Sequence, residues 1–312
     1  MGSLSAALSL AHVQKTFGSH RAVDDLSLEV PAGSIYGFIG PNGSGKTTTI
    51  RMIMNLLVPD SGTITVLGQA HQSSVRDHIG YLPEERGLYK RMTVRQVLRY
   101  YGQLKGEPLA RLDAAITAWI DRLQLGPWLD KPVQALSKGM SQKVQFISTV
   151  IARPKVLILD EPFSGLDPVN ADGLRDAVLA LRRDGTTIVL STHDMTVAER
   201  MCDRIFMIFR GVKVLDGTLD DIRSRFGQDV VRVRTQVGLD ALAGLPGVSS
   251  VVDVGNFQDV RLSSDPQAFL AALSARTPVL HFELTKPSLH DIFKSIARPD
   301  TPDEPPPAGA RP

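Results

Sequence analysis

The sequence predicts an α/β protein built on a mostly parallel sheet, with an all-helical insertion and a smaller α+β unit behind it. Three observations carry that reading. Short apolar, β-rich segments alternate with helical ones from Leu8 to about Gly217, and strands such as Val156-Leu157-Ile158-Leu159 are apolar on both faces, as a sheet buried between helices requires. Residues 34–39, strand-like, run into the glycine-rich string Gly40-Pro41-Asn42-Gly43-Ser44-Gly45-Lys46-Thr47 and then into helical sequence over 48–57. Beyond Gly227 the order becomes βαββαβ with a closing helix, the pattern of a ferredoxin-like unit.

In chain order, the candidate strands of the first part are 8–16, 26–30, 34–39, 79–82, 156–160, 187–190 and 204–209. Between 93 and 135 the pattern turns wholly helical, with amphipathic stretches at 94–104 and 109–125, which places a helical subdomain at about 93–140. Residues 217–227 read as a closing helix and hinge, so the first domain is expected to span 1–227. The second, 228–297, offers strand 230–237, a short helix 239–243 and strands 248–254 and 260–262 around Gly255-Asn256. Helix 266–273, strand 279–284 and helix 289–297 complete it. Residues 298–312 are rich in proline and acid, the composition of a disordered tail.

Bulk properties narrow the class. The 312 residues are 43% hydrophobic, enough for a sizeable core in one large or two ordinary domains. Lys+Arg and Asp+Glu nearly cancel, leaving +2, so no nucleic-acid partner is expected from a strong basic footprint. The one cysteine, Cys202, excludes an internal disulfide and a multi-cysteine zinc site. It lies in an apolar stretch, 195–206, read as helical, where a buried inert thiol is expected. No apolar run reaches the roughly 18 residues that a spanning helix needs, and the first ten residues lack a basic, signal-like start. The chain is expected to be cytoplasmic, reaching a membrane through a partner.

The glycine string has the spacing G-x-x-x-x-G-K-[ST], and its strand–loop–helix context makes it a phosphate-binding loop. Glycines let successive backbone N–H groups aim at one point, and the helix start adds partial positive charge. Gly40 to Thr48 form this cradle: Lys46 is placed for the β- and γ-phosphates and the Thr47 hydroxyl for Mg²⁺. Downstream, a strand ends in Asp160-Glu161, at the strand terminus where open α/β sheets gather ligands. Asp160 suits metal coordination, direct or through water, and Glu161 suits polarising an attacking water.

At this point the chain resembles the ATP-binding subunits of ABC transporters, over residues 8–217. Leu136-Ser137-Lys138-Gly139-Met140-Ser141-Gln142 is similar to the family's signature, commonly LSGGQ; Ser164-Gly165-Leu166-Asp167-Pro168 is similar to its D-loop; and Ser191-Thr192-His193-Asp194 resembles its switch region. Phe17 lies where the family places an aromatic under adenine, with a core phenylalanine as the alternative. The resemblance implies ATP and Mg²⁺, Ser137 and Gly139 closing over the γ-phosphate held by a second copy of the chain or a homologous subunit, Asp167 beside that site, and His193 on the γ-phosphate. It also implies a peripheral position on an integral membrane permease.

Two departures refine it. Glu84 stands where most members carry glutamine, as a metal-side ligand or as a coupling residue toward the permease, and Lys138-Gly139-Met140 replaces Gly-Gly-Gln. Both strings, with the ending Lys286-Pro287-Ser288-Leu289-His290-Asp291-Ile292-Phe293, resemble an export-type bacterial subgroup that includes sodium-efflux and drug-export subunits. The alternatives are an importer ATPase with a ligand-sensing C-terminal module and a soluble, non-transport ABC ATPase. Arg95 and Arg99, beside Tyr100-Tyr101, read either as a solvated face or as a docking surface for the permease.

Overall fold

The structure, a computed structural model, describes residues 6–70, 77–85, 87–226 and 230–297. Its contacts separate two units, Met1–Thr218 and Leu219–Pro312. The expected tail, 298–312, lies outside the described residues.

The first unit begins β1 (Ala6–Phe17), β2 (His20–Pro31), β3 (Ile35–Ile39), α1 (Lys46–Ile53), β4 (Ser61–Val66), β5 (Gln69–Ala70) and β6 (Ile79–Leu82). It continues with α2 (Val94–Leu104), α3 (Leu109–Arg122), α4 (Lys138–Val150), β7 (Val156–Asp160) and α5 (Pro168–Arg183). It closes with β8 (Thr187–Thr192), α6 (Met195–Met201), β9 (Arg204–Phe209) and β10 (Val212–Gly217). β3, β7 and β8 are buried at every position, which is why their sequences are apolar without alternation. They lie inside a sheet of order β10-β9-β3-β8-β7-β6, parallel except for the antiparallel edge strand β10. A second sheet, β2-β1-β4-β5, is antiparallel.

One core fills the space between the two sheets and α1, with Phe38 and Phe206 packed at 5.2 Å. The other lies between the parallel sheet and α2–α5. In the helical insertion, Thr93 and Gln96 cap α2 reciprocally, and Leu112, Ile116 and Ile120 present a buried stripe on α3. Arg95 and Arg99 are ion-paired, to Asp130 at 2.8 Å and Asp113 at 2.7 Å, so they lace the insertion together.

Several boundaries differ from expectation. α1 starts at Lys46 and ends at Ile53, and α3 stops at Arg122. The stretch read as one helix over 195–206 is a helix to Met201 and a strand from Arg204, because the apolar run serves α6 and then the buried β9. Cys202 sits at that junction, half-buried; its Sγ would lie 2.7 Å from a Cβ built on Gly37, and burial pushes the thiol up to about 12.

The second unit holds α7 (Leu219–Phe226), β11 (Val230–Thr235), a 3-10 turn Gly238–Ala241, β12 (Val248–Asp253), β13 (Gln258–Leu262), α8 (Pro266–Ser274), β14 (Val279–Thr285) and α9 (Leu289–Ala297). Its antiparallel sheet runs β12-β13-β11-β14, the ferredoxin-like order, with the first helix reduced to the 3-10 turn. Val231, Val233 and Val260 pack on Phe269 and Leu273 of α8. α7 groups with this unit, ahead of the limit at Gly227 read from sequence: Asp220 accepts a hydrogen bond from Lys286 Nζ (2.9 Å), and Arg223 Nε donates to the Pro287 carbonyl (3.1 Å).

Candidate functional site

Four neighbouring strands, β3, β8, β7 and β6, end on one edge of the parallel sheet, and each delivers a candidate residue there. The glycine loop and Lys46 follow β3, His193 follows β8, Asp160 ends β7 with Glu161 next, and Glu84 follows β6. Carboxyl ends of parallel strands are where α/β sheets bind ligands.

The loop's shape depends on Gly45. Its φ is +111°, and a Cβ there would sit 2.5 Å from the Ala22 carbonyl oxygen, so both backbone and space exclude a side chain. α1 then begins with no side-chain cap, leaving its first N–H groups for an anion. Lys46 is buried and curls over the loop, donating to the carbonyls of Gly40 (2.6 Å) and Pro41 (3.1 Å). Burial lowers its pKa, opposed by Glu161, Asp160 and Glu84. Asn42 and Gly43 form the exposed tip, Thr47 is exposed, and Thr48 is half-buried. Ser44 Oγ is buried without a hydrogen-bond partner. An orphaned hydroxyl within a cradle of N–H groups fits a phosphate oxygen.

Asp160 is buried and accepts from Ser191 Oγ (2.7 Å). Desolvation raises its pKa, helped by Glu161 and Glu84 and opposed by the Ser191 bond and Lys46. A carboxylate pushed toward protonation beside other carboxylates is a place where a divalent cation would restore the charge balance. Among the described residues no three His, Cys, Asp or Glu side chains form a metal cage. Thr47, Asp160 and Glu84 are the residues that would hold a small cation there, with water and phosphate oxygens as its remaining ligands, which is how Mg²⁺ usually binds.

Glu161 adopts φ +49°, an uncommon conformation for a glutamate, and three donors fix its carboxylate. Thr192 Oγ1 donates to Oε2 (3.2 Å), while the His193 backbone N–H (2.8 Å) and ring Nδ1 (2.7 Å) both meet Oε1. Nδ1 is the ring nitrogen that faces the carboxylate, which leaves Nε2 as the ring's other functional nitrogen. Ser191 and Thr192 were missed as site residues from sequence; two hydroxyls closing an otherwise apolar strand were the available signal. Tyr81, on β6, lies near these acids. Burial pushes its hydroxyl up to about 12, with Asp160 and Glu84 within electrostatic reach.

Phe17 ends β1 with its ring about half exposed (49%), so it is no core residue, and Lys15 Nζ lies 5.7 Å from the ring centre. The same hairpin brings Ala22 against the loop at Gly45. Ser137 caps α4, accepting from Met140 N (3.3 Å). Gly139 is buried, and a Cβ on it would meet Asn170 Nδ2 at 2.7 Å. Asn170 in turn bonds Asp167, the α5 cap, through its backbone N (3.0 Å) and Nδ2 (2.5 Å). Ser137, Gly139 and Asp167 thus form a second cluster at the starts of α4 and α5. Among the described residues, no hydrogen bond or ion pair joins it to the Gly40–Thr47 loop.

A phosphate loop closed by a buried lysine, facing paired acids and a histidine across a parallel sheet, defines a nucleoside-triphosphate-hydrolysing α/β protein. Residues 23–164 match the family model described as ABC transporter, and residues 217–297 match that of the ATP-binding protein DrrA1-3-like, C-terminal domain. The chain is 40% identical to the uncharacterized ABC transporter ATP-binding protein YhaQ of Bacillus subtilis, over 92% of this chain and 97% of that one. It is 34% identical to the Nod factor export ATP-binding protein I of Sinorhizobium fredii, over 92% and 84% of the two chains. With the daunorubicin/doxorubicin resistance ATP-binding protein DrrA of Streptomyces peucetius it shares 33% identity over 93% and 92%. A solved structure of an ATP-binding subunit of an ABC transporter superposes with TM-score 0.67 at 32% identity, covering 71% of this chain and 93% of that one. The chain belongs to the ABC transporter ATP-binding proteins and is an ATPase of that family. No helix among the described residues is long and apolar enough to cross a membrane.

Proposed function

We propose that this chain binds and hydrolyses ATP to drive export through a separate membrane permease, acting with a second copy of itself or a homologous subunit. The observation that carries the reading is the convergence of Lys46, His193, Asp160, Glu161 and Glu84 at the ends of four adjacent strands. Export is supported by the Nod factor export and drug-resistance relatives, which align along nearly the whole chain, second unit included.

In this reading the N–H groups of residues 43–48 and the Lys46 ammonium hold the β- and γ-phosphates, and Phe17 carries the adenine. Thr47, Asp160 and Glu84 would hold Mg²⁺, whose charge would offset that of the phosphates. Glu161 accepts a proton from the attacking water, and its fixation by Thr192 and His193 sets the direction from which it does so. His193 then supplies its ring to the γ-phosphate. The Ser137–Gly139 cluster stands apart from the loop of its own chain and serves the nucleotide of the other, so two chains enclose two nucleotides.

Glu161→Gln tests this. The variant should bind ATP normally, hydrolyse it about 10²–10⁴-fold more slowly, and accumulate as a dimer under saturating ATP, measured by light scattering. An unchanged rate would overturn the role of Glu161, and a persistent monomer would contradict the enclosed-nucleotide dimer.

A further inference from the structure

A cavity of about 610 Å³ opens between the end of α3, the middle of α4 and one face of α5, built from residues that the ATP site does not use. Its wall is unusually rich in positive charge: Arg122 from α3, Lys143 from α4 and Arg183 from α5 stand against a single carboxylate, Asp176. Lys143 is only 8% exposed, yet its one described hydrogen bond is a long one, 3.3 Å to the Leu123 carbonyl. An ammonium has three donors, so a buried lysine with one weak partner is set for an anion. Desolvation lowers its pKa accordingly, with Asp167 the only charge opposing that effect. Arg182 pairs with Asp203, whereas Arg183 next to it has no ion pair among the described residues. The Arg122 guanidinium carbon lies 5.3 Å from the Trp119 ring centre, so the ring holds this cation at the cavity wall.

Gly173 adds an independent observation. It lies inside α5, where glycine disfavours the helix relative to alanine, and its φ is not in the left-handed region. Nor does packing require it: a Cβ there would find only Lys143 Nζ at 3.9 Å and Cε at 4.0 Å, ordinary contact distances. What a Cβ would do is fill the cavity beside the ammonium. Along the same helical face, Val169, Ala177 and Ala180 offer a low apolar floor.

We propose that this cavity binds a small phosphate monoester, its dianion held by Lys143, Arg122 and Arg183 and its organic body lying over Gly173 and the apolar face of α5. Arginine forks match phosphate oxygens in pairs, and the net lining charge of three cations against one carboxylate suits a dianion. The volume is several times that of a bare phosphate and lies within the range of small-molecule sites. The occupant touches α3, α4 and α5 together, and α4 and α5 begin with the Ser137–Gly139 and Asp167 cluster.

The probe is phenyl phosphate, titrated calorimetrically into the full chain already saturated with ADP and Mg²⁺ so that the Lys46 loop is filled. The expected result is saturable one-site binding, absent for the neutral benzyl alcohol and weakened tenfold or more in Lys143→Met. Gly173→Ala should raise the melting temperature by about 2 °C while weakening phenyl phosphate several-fold, a pairing that a purely structural role does not produce. If Lys143→Met does not fold, Gly173→Ala and Arg183→Ala decide. No saturable binding in the ADP-loaded protein, or affinity unchanged in Gly173→Ala and Arg183→Ala, overturns the site. Inorganic phosphate binding as tightly as phenyl phosphate overturns the place assigned to the organic body. ADP affinity, read in the same titrations, separates these failures from a failure of the ATP site.

Discussion

Asp160 shows what a built site asks of a single residue. Its carboxylate is buried, touched by one hydroxyl and flanked by Glu161 and Glu84, and its pKa is raised mainly by desolvation. A folded-state pKa above the unfolded value means that the folded chain holds the proton more tightly. The associated stability is complete below the unfolded value of 3.8 and is lost as pH rises through the folded value. Without nucleotide or metal, Asp160→Asn should therefore be more stable than the wild type at pH 7 in urea denaturation, with the gap closing toward pH 3.8 and below. A gap independent of pH would remove the desolvation account. Lys46→Ala acts in the other direction, on binding: losing a charge-assisted donor should weaken ATP by about 10–100-fold or more, checked by equilibrium dialysis. Residues of this kind are legible where chemistry is local in the chain, as in Gly40 to Thr48 or Asp160-Glu161. The Glu161–His193 bond joins residues 32 apart, and the Ser191–Asp160 bond residues 31 apart, so only the sheet order reveals them.

At the scale of elements, legibility followed burial. Strands buried on both faces announced themselves in sequence, whereas β4 begins with three exposed residues and β5 is two exposed ones, so neither has an apolar pattern to read. β10, an edge strand, was missed for the same reason. α2 was read to its ends because a capping box and an apolar stripe coincide in it. What sequence could not say is how closely α2 approaches α3. A Cβ on Gly102 would overlap Leu112 Cδ2 and come within 2.9 Å of Cδ1 and 3.1 Å of Cγ, and Leu112 is 1% exposed. Helix propensity alone favours alanine over glycine by about 1 kcal/mol. Overpacking of a closed core costs about 1–3 kcal/mol, so the packing term outweighs the propensity. Gly102→Ala should be net destabilising by about 1 kcal/mol in thermal or urea unfolding. A stabilised variant would mean that α2 and α3 can separate enough to admit a methyl group.

For the molecule as a whole, the question is where one cooperative unit stops. Periodicity marks where helices lie but not which core they serve, so residues 217–227 read as the end of the first domain. The contacts of α7 say otherwise: Ile222 is fully buried, Asp220 pairs with Lys286, and Arg223 bonds the Pro287 carbonyl, all within Leu219–Pro312. An eight-residue helix has no stability alone. Burial of one isoleucine is worth about 1.5–3 kcal/mol, and α7 packs against α9. Two truncations separate the alternatives. Residues 1–218 should fold cooperatively and bind ATP within about twofold of the full chain, since the deleted contacts are remote from the Lys46 loop in sequence and unit. In a 1–227 fragment the same affinity should hold, but 219–227 should be cut by protease at rates typical of an unfolded segment. Loss of ATP binding in 1–218 would show that the ATP-binding unit needs α7 or the second sheet-bearing unit for its own stability. Protection of 219–227 in the longer fragment would return α7 to the first unit.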